Sequence, residues 1–291
     1  CAYVGGALTQ RPAIWKTGVT TAGKSTLCEE VEKRLLAPVG CRYWDHETTP
    51  AGIRQAIGHN AYPQIVDEFE SDTPERRKKV DALVAMNRGS SSGSGADIAK
   101  GNTAGTGVQY SLRNPFGFSS INVGLENDQD KNRIVVVPML GLTKAQQDAE
   151  IETTKKWEAI DMELARKVMA RAVRMLPIIE ANATTIRHAI LGRSKGSVSS
   201  RYAKVQAFLL AGSRVFLPGG DALMTEEEAD DFVALLLSPT TVAEVEAAED
   251  AAQEHNDATQ CLQHLLLHRI EAWREVRMDG HDRRERIQIT V

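Results

Sequence analysis

The chain has 291 residues and a mass of 31.9 kDa, with 42% hydrophobic and 25% charged residues. That mixture excludes a disordered, collagenous or disulfide-scaffold protein. Formal net charge is −4 and the isoelectric point about 6.0, so any grip on a polyanion must come from a local cluster of Lys and Arg and not from bulk charge.

Aromatic residues make up 5% of the chain, which argues against a broad base-stacking surface. No apolar run approaches the ~18 residues that a membrane span requires. Cys1, Cys28, Cys41 and Cys261 are scattered without CxxC pairing, the usage of reduced thiols in a cytosolic setting. The chain opens at Cys1 and not at Met, which reads as a portion of a longer polypeptide.

Residues 1–141 alternate short β-like runs with glycine-rich turns and helical stretches, the pattern of an α/β domain. The first run, Ala13–Lys16, leads into Gly18-Val19-Thr20-Thr21-Ala22-Gly23-Lys24-Ser25, which has the phosphate-loop spacing G-x-x-x-x-G-K-[ST]. Successive backbone N–H groups must curl around phosphate oxygens there, and glycine permits that conformation. Ser25–Leu36 continues as an amphipathic helix whose amino terminus favours an anion. In this setting Gly18, Ala22, Gly23, Lys24, Ser25 and Thr26 are the expected nucleotide contacts. Lys24 would reach the β- and γ-phosphates, and the Ser25 hydroxyl would ligate Mg²⁺.

The second run, Cys41–Trp44, ends in Asp45-His46-Glu47, read as a polar strand end in preference to a general-base cluster. The third, Pro63–Asp67, finishes in Asp67-Glu68, two carboxylates at the carboxyl edge of a parallel sheet. Asp67 is expected to hold Mg²⁺ through water and Glu68 to act as general base on the attacking water; a solvent-facing Asp-Glu pair is the other reading. Residues 88–113 then suggest two short strands around a glycine turn, with Lys100 at the tip and Arg88 among the few cations. Such a hairpin suits a ring pore that grips a strand by its phosphates without reading bases; a flexible surface loop is the alternative.

The run Pro115–Asn122 offers Asn122 as a γ-phosphate sensor or as an ordinary strand-end cap. Arg133 precedes the last run, Arg133–Met139. An arginine so placed is what a ring ATPase presents to its neighbour's γ-phosphate, although a surface ion pair with Asp128 or Asp130 would also account for it.

From Leu142 the pattern is helical. Lys144–Leu176 carries Ile151, Trp157, Ile160, Leu164, Val168 and Val173 at helical spacing. Thr225 before Glu226, Glu227 and Glu228 is a capping-box start for a helix through Phe232, Val233 and Leu236, ended by Ser238-Pro239. Residues 142–240 therefore read as an α-helical region. Residues 241–291 read as an acidic linker, Glu244–Asp257, and a helix, Cys261–Ile270, leading to a possible further module with a strand beginning at Ile287-Gln288-Ile289. Cys261, His264 and His268 share one helical face, but flanking leucines and the lack of a fourth ligand favour packing over zinc. Trp157 and Trp273 likewise read as packing, and Arg201 as either a second sensor or a salt-bridge partner.

The order of motifs is P-loop, Thr49-Pro50-Ala51-Gly52-Ile53-Arg54-Gln55, Asp67-Glu68, Lys100-Gly101, Ser119-Ser120-Ile121-Asn122 and Asp130-Lys131-Asn132-Arg133. It resembles the helicase portion of phage and prophage primase-helicase proteins, whose ATPase core is similar to superfamily 3 helicases of the AAA+ class. The resemblance extends through Ser199-Ser200-Arg201-Tyr202 and Cys261-Leu262-Gln263-His264-Leu265-Leu266.

It implies an α/β fold, a P-loop NTPase (AAA+-like) parallel-sheet core followed by an α-helical region. It implies a homo-hexameric ring that hydrolyses ATP with Mg²⁺ at subunit junctions and translocates on single-stranded DNA in the bacterial cytoplasm, with no membrane partner. Lys24, Ser25, Asp67 and Glu68 would form the ATPase core, with Asn122 the sensor, Arg133 the finger and Lys100 the DNA contact. Val19-Thr20-Thr21-Ala22 departs from the smaller or proline-containing residues usual in such loops, and no priming activity is assigned. A nucleotide-switched AAA+ assembly or loader protein without translocation, and a packaging-type motor, are the rival expectations.

Overall fold

The computed structural model describes residues 1–19, 22–45, 47–91, 93, 96–101, 107–125, 127–139, 160–236, 270–278 and 281–289. Its centre is a five-stranded sheet in the order β2-β3-β6-β1-β7, with every pairing parallel. The strands are β1 (Ala13–Thr17), β2 (Arg42–Trp44), β3 (Gln64–Val66), β6 (Phe116–Ser120) and β7 (Ile134–Pro138). Each matches a run expected from the sequence, β1 longer by Thr17 and the other four trimmed at their ends. The inserted pair β4 (Ala96–Gly101) and β5 (Gly107–Leu112) is antiparallel.

The strands are short and covered on both faces, as a parallel sheet requires. On one face Ala13, Trp15, Val66, Phe116 and Phe118 pack under α2 (Pro50–Ile57) and α3 (Pro74–Ser90), which contribute Ile53, Ile57, Val80, Leu83 and Val84. Trp15, Phe69 and Phe118 form a three-ring cluster with centroids 4.9 to 5.3 Å apart. The opposite face carries Ile14, Val135 and Val137. Lys16, buried at 2% exposure, pairs there with Glu32. Burial opposes the Lys16 charge, but Glu32 more than compensates and holds the ammonium above its ordinary pKa. The pair pins β1 to α1, the continuous helix over residues 24–35, which is α-helical at Lys24–Thr26 and Lys33–Leu35 and π-wound over Leu27–Glu32.

After α4 (Asp128–Lys131), the helical region comprises α5 (Met162–Arg174), α6 (Leu176–Ser194), α7 (Ser200–Arg214) and α8 (Glu226–Leu236). Of the helical pattern expected over Lys144–Leu176, residues 144–159 lie outside the described residues and the rest holds α5 and the first residue of α6. Asp161 caps α5 by accepting the Leu164 N–H at 2.7 Å, and Met175, ahead of Pro177, separates α5 from α6. The capping box at Thr225 is present: Glu228 N–H donates to Thr225 Oγ1 and Thr225 N–H to Glu228 Oε2. The helical core gathers Ile179, Ile186, Ile190, Phe208 and Val215 with Val4 and Leu8 from the amino-terminal segment. Helix α7 joins the two halves by packing Val205 against Val135 and Val137.

Residues 270–289 form a hairpin in which β8 (Ile270–Met278) pairs antiparallel with β9 (His281–Ile289); of the helix expected over Cys261–Ile270, residues 261–269 lie outside the described residues and Ile270 begins β8. Trp273 lies on a strand opposite Arg286, so it is not a helical core position, while the expected strand at Ile287–Ile289 falls inside β9. Glu, Ala, Arg and Met in β8 favour helix locally, and the period-two pairing overrides them. Trp157, the Glu244–Asp257 stretch and the Cys261, His264, His268 set lie outside the described residues.

One buried cation fastens the base of the β4–β5 hairpin. Arg11 is 1% exposed and donates to the carbonyls of Ser90, Leu8 and Gly93, while its own N–H donates to Ser91 O at 2.7 Å. Next to it, Thr9 donates through N and Oγ1 to Glu180 of α6 at 2.8 and 2.9 Å. The hairpin base is thereby tied to both the end of α3 and the helical region. Among the described residues no helix is long and apolar enough to cross a membrane.

Candidate functional site

All five strands run the same way, so the segments leaving β1, β3 and β6 emerge at one edge of the sheet. In an open α/β sheet that carboxyl edge is where ligands bind. A cavity of about 290 Å³ opens there, lined by Lys24, Ser25, Asp67, Glu68, Glu70, Arg76, Ser120 and Ile121.

The loop after β1 turns on two glycines. Gly18 has φ +145°, and a Cβ at that position would lie 2.1 Å from Met139 O; Gly23 has φ +75°. No other residue fits Gly18, because backbone already fills the side-chain position. The loop delivers Lys24 into the cavity at 7% exposure, its ammonium donating to the carbonyls of Gly18 and, at 2.9 Å, Val19. Burial lowers the Lys24 pKa, while Glu70 and Asp67 pull it the other way. Ala22 is buried within the loop and Ser25 is exposed at the start of α1, followed by Thr26. Thr20 and Thr21 lie outside the described residues.

The segment after β3 places three carboxylates. Asp67 N–H donates to Trp44 O and Phe69 N–H to Ser119 O, so these two residues stay stitched to the neighbouring strands. Phe69 also anchors in the ring cluster. Glu68 between them is pushed out to the cavity, and its φ of +52° is the left-handed conformation that a side chain rarely adopts. Asp67 is 5% exposed and accepts the Tyr43 hydroxyl at 2.6 Å and the Glu68 N–H at 3.0 Å. Burial raises the Asp67 pKa, but the Tyr43 hydroxyl, with those of Ser119 and Ser25 nearby and the Glu68 N–H, outweighs it and leaves the carboxyl below its ordinary value. Ser119 Oγ is buried and completes no hydrogen bond of normal geometry. An ionised Asp67 beside the Ser25 hydroxyl fits a hard oxygen-seeking cation. Among the described residues no group of three or more His, Cys, Asp or Glu side chains is placed to hold a metal.

Three participants escaped the sequence reading. Tyr43 reaches Asp67 from β2. Glu70 accepts the backbone N–H of Ile121, and that of Asn122 at 3.5 Å, fastening the exit of β6. Arg76, in the first turn of α3, lines the cavity. The Thr73-Pro74 start of α3 was the one sequence signal available for Arg76.

Other expected residues fall elsewhere. Strand β6 ends at Ser120, and the residues at its tip that line the cavity are Ser120 and Ile121; Asn122 is exposed and meets Glu70 through its backbone. Ser120 Oγ instead receives the Trp15 indole N–H at 2.6 Å and donates to Asn122 O at 2.6 Å, linking core to tip. Arg133 precedes β7 at the amino edge of the sheet, one strand length (roughly 15 Å) from the loop. It is not paired with Asp130, whose carboxylate takes a bidentate contact from Arg88 at 2.9 and 2.8 Å, while Asp128 pairs with Lys131. Arg88 is thereby removed from the hairpin's cations. Arg133 Nη1 donates to Gln129 O, and burial, with Arg201 and Arg88 close by, lowers its pKa. Lys100 is in β4 at the pair with Val108, next to the last pair Gly101–Gly107. Asp45 accepts from Glu47 N–H and Thr48 Oγ1 in a polar turn, and His46 lies outside the described residues.

No protein-family model matches the chain, and no curated protein matches it.

Proposed function

We propose that this chain is a P-loop NTPase of the AAA+ type that hydrolyses Mg·ATP in the cavity at the carboxyl edge and uses the energy to translocate on single-stranded DNA, as a ring helicase of phage or prophage replication in the bacterial cytoplasm. One observation carries the reading: the glycine-turned loop with its buried Lys24, the Asp67-Glu68 pair and the β6 tip converge on one cavity. The strand order supports it, since β6 lies between the loop strand and the carboxylate strand and brings its tip to the same edge.

In this reading Lys24 exchanges the Gly18 and Val19 carbonyls for β- and γ-phosphate oxygens. Magnesium, held by Ser25 and Asp67, supplies charge neutralisation on the phosphates when bound. Glu68, presented outward by its left-handed backbone, accepts the proton of the attacking water. The β6 tip, fixed by Trp15 and Glu70, sets the position of the third wall. Arg133 is too far to serve its own cavity and is assigned to a neighbouring copy, which makes a homo-hexameric ring part of the proposal. The β4–β5 hairpin with Lys100 is the assigned DNA contact.

The test is ATP turnover by the whole chain with and without single-stranded DNA, together with native mass in Mg·nucleotide. The expected result is a six-membered particle whose turnover rises several-fold with DNA, and Lys100→Ala should lose that rise while keeping basal hydrolysis. A lone particle that ignores Mg·ATP would overturn the proposal. Turnover indifferent to DNA would leave the switch or loader reading.

Tyr43→Phe gives a pH test. The Tyr43 hydroxyl helps hold Asp67 below its ordinary pKa, so its loss should raise that pKa and protonate Asp67 at higher pH. The acid limb of the turnover profile should move upward; an unmoved limb would remove Tyr43 from the control of Asp67.

A further inference from the structure

The two cations that line the cavity are unlike. Lys24 is buried and committed to its own loop. Arg76 belongs to the first turn of α3, where its backbone N–H donates to the capping Thr73 Oγ1 at 3.2 Å, so its Cα is fixed by the helix start. Its guanidinium is held by one nitrogen. Nη1 donates to both oxygens of Asp72 at 3.1 and 3.0 Å, and among the described residues Nε and Nη2 make no hydrogen bond. The pair is open to solvent, with Arg76 44% and Asp72 59% exposed. Exposed pairs at this spacing contribute only about 0.3–0.5 kcal/mol, so detaching the arginine costs little.

The cavity wall also carries Asp67, Glu68 and Glu70. Asp67 is bonded to Tyr43, and Glu70 to the backbone amides at the β6 exit. Of the lining cations, then, one is locked and one is a planar fork on a weak tether. A fork of parallel N–H donors matches two oxygens of a phosphate better than a point charge does.

We propose that Arg76 leaves Asp72 and clasps the terminal phosphate of a nucleoside triphosphate in this cavity, so that the cavity tells triphosphate from diphosphate through a residue of its own chain. The inference rests on the cavity being the nucleotide site proposed above, and it names the residue that makes that site selective. Asp72 is the resting partner: it holds the guanidinium at the rim when the ligand ends at the β-phosphate and gives it up when a further phosphate arrives.

The experiment is calorimetric titration of the whole chain, in magnesium, with ADP, with a non-hydrolysable ATP analogue and with inorganic phosphate alone. Wild type should prefer the triphosphate analogue. Arg76→Ala should lose about tenfold of that preference, the worth of a charge-assisted hydrogen bond, with ADP affinity unchanged within about twofold. Arg76→Lys should recover part of it, and Asp72→Asn, which releases the tether, should strengthen it; these two also guard against a folding defect in the alanine variant. If wild type prefers the analogue and Arg76→Ala keeps the full preference, the Arg76 role is wrong while the nucleotide site stands. If wild type binds neither nucleotide, the nucleotide reading itself falls. If phosphate alone binds in an Arg76-dependent way and the nucleotides do not compete, the ligand is free phosphate and the proposal is overturned.

Discussion

Glu68→Gln is expected to retain Mg·ATP and to lose turnover by about a hundred- to ten-thousand-fold, the range that a positioned general base supplies. The expectation starts from backbone geometry. Asp67 and Phe69 keep their N–H groups in hydrogen bonds to Trp44 and Ser119, and Glu68 alone is driven out of the sheet at φ +52°. Holding a non-glycine residue there costs about 1–2 kcal/mol, and the two flanking bonds and the Phe69 ring contacts maintain it. Glutamine is nearly isosteric and keeps the same backbone, so the substitution removes the carboxylate's charge and proton affinity with little change of shape. Asp67 and Glu70 are poor substitutes, because Asp67 is buried against Tyr43 and Glu70 accepts amides at the β6 exit. Single-turnover hydrolysis beside equilibrium nucleotide binding separates the two effects. Turnover at the wild-type rate would take Glu68 out of the chemistry.

Arg11→Met should destabilise the fold by about 2–5 kcal/mol, because it strips two buried carbonyls and one partly exposed carbonyl of their donors and each orphaned buried acceptor costs about 1–3 kcal/mol. The affected carbonyls belong to Ser90, Leu8 and Gly93. Methionine fills much of the apolar volume of the stem, so the loss reports the guanidinium and not a cavity. A chemical-denaturation midpoint measures the total. Hydrogen exchange should show additional opening at the amides of residue 11 and Gly93, which donate to the carbonyls of Ser91 and Thr9. An unshifted midpoint would mean that water serves these carbonyls as well as arginine does.

How far the sequence could be read depends on how local the causes are. Glycine spacing and the lysine after it are local, and so the loop and the strand before it were legible. The Asp67-Glu68 pair was legible as a strand end, but its left-handed turn was not, since it arises from hydrogen bonds to Trp44 and Ser119 on two other strands. Tyr43, Glu70 and Arg76 have no spacing relation to the loop; only the order of strands brings them to the cavity. At the β6 tip the cavity is lined by Ser120 and Ile121 and not by Asn122, because β6 ends at Ser120, whose hydroxyl receives the Trp15 indole N–H, a contact across 105 residues of sequence. The start of α5 carries a local capping signal, Asp161 accepting the Leu164 N–H. In β8 the local preference for helix is real and is overruled by pairing with β9.

Helix α3 begins beside Arg76 in the cavity wall and ends at Ser90, whose carbonyl is held by Arg11 at the foot of the hairpin. Its 17 residues make a strut about 25 Å long. A strut does not absorb motion: a tilt of about 10° at one end displaces the other by roughly 4 Å, close to the rise of one β-strand residue. Events at the cavity and the stance of the hairpin therefore share a single mechanical member.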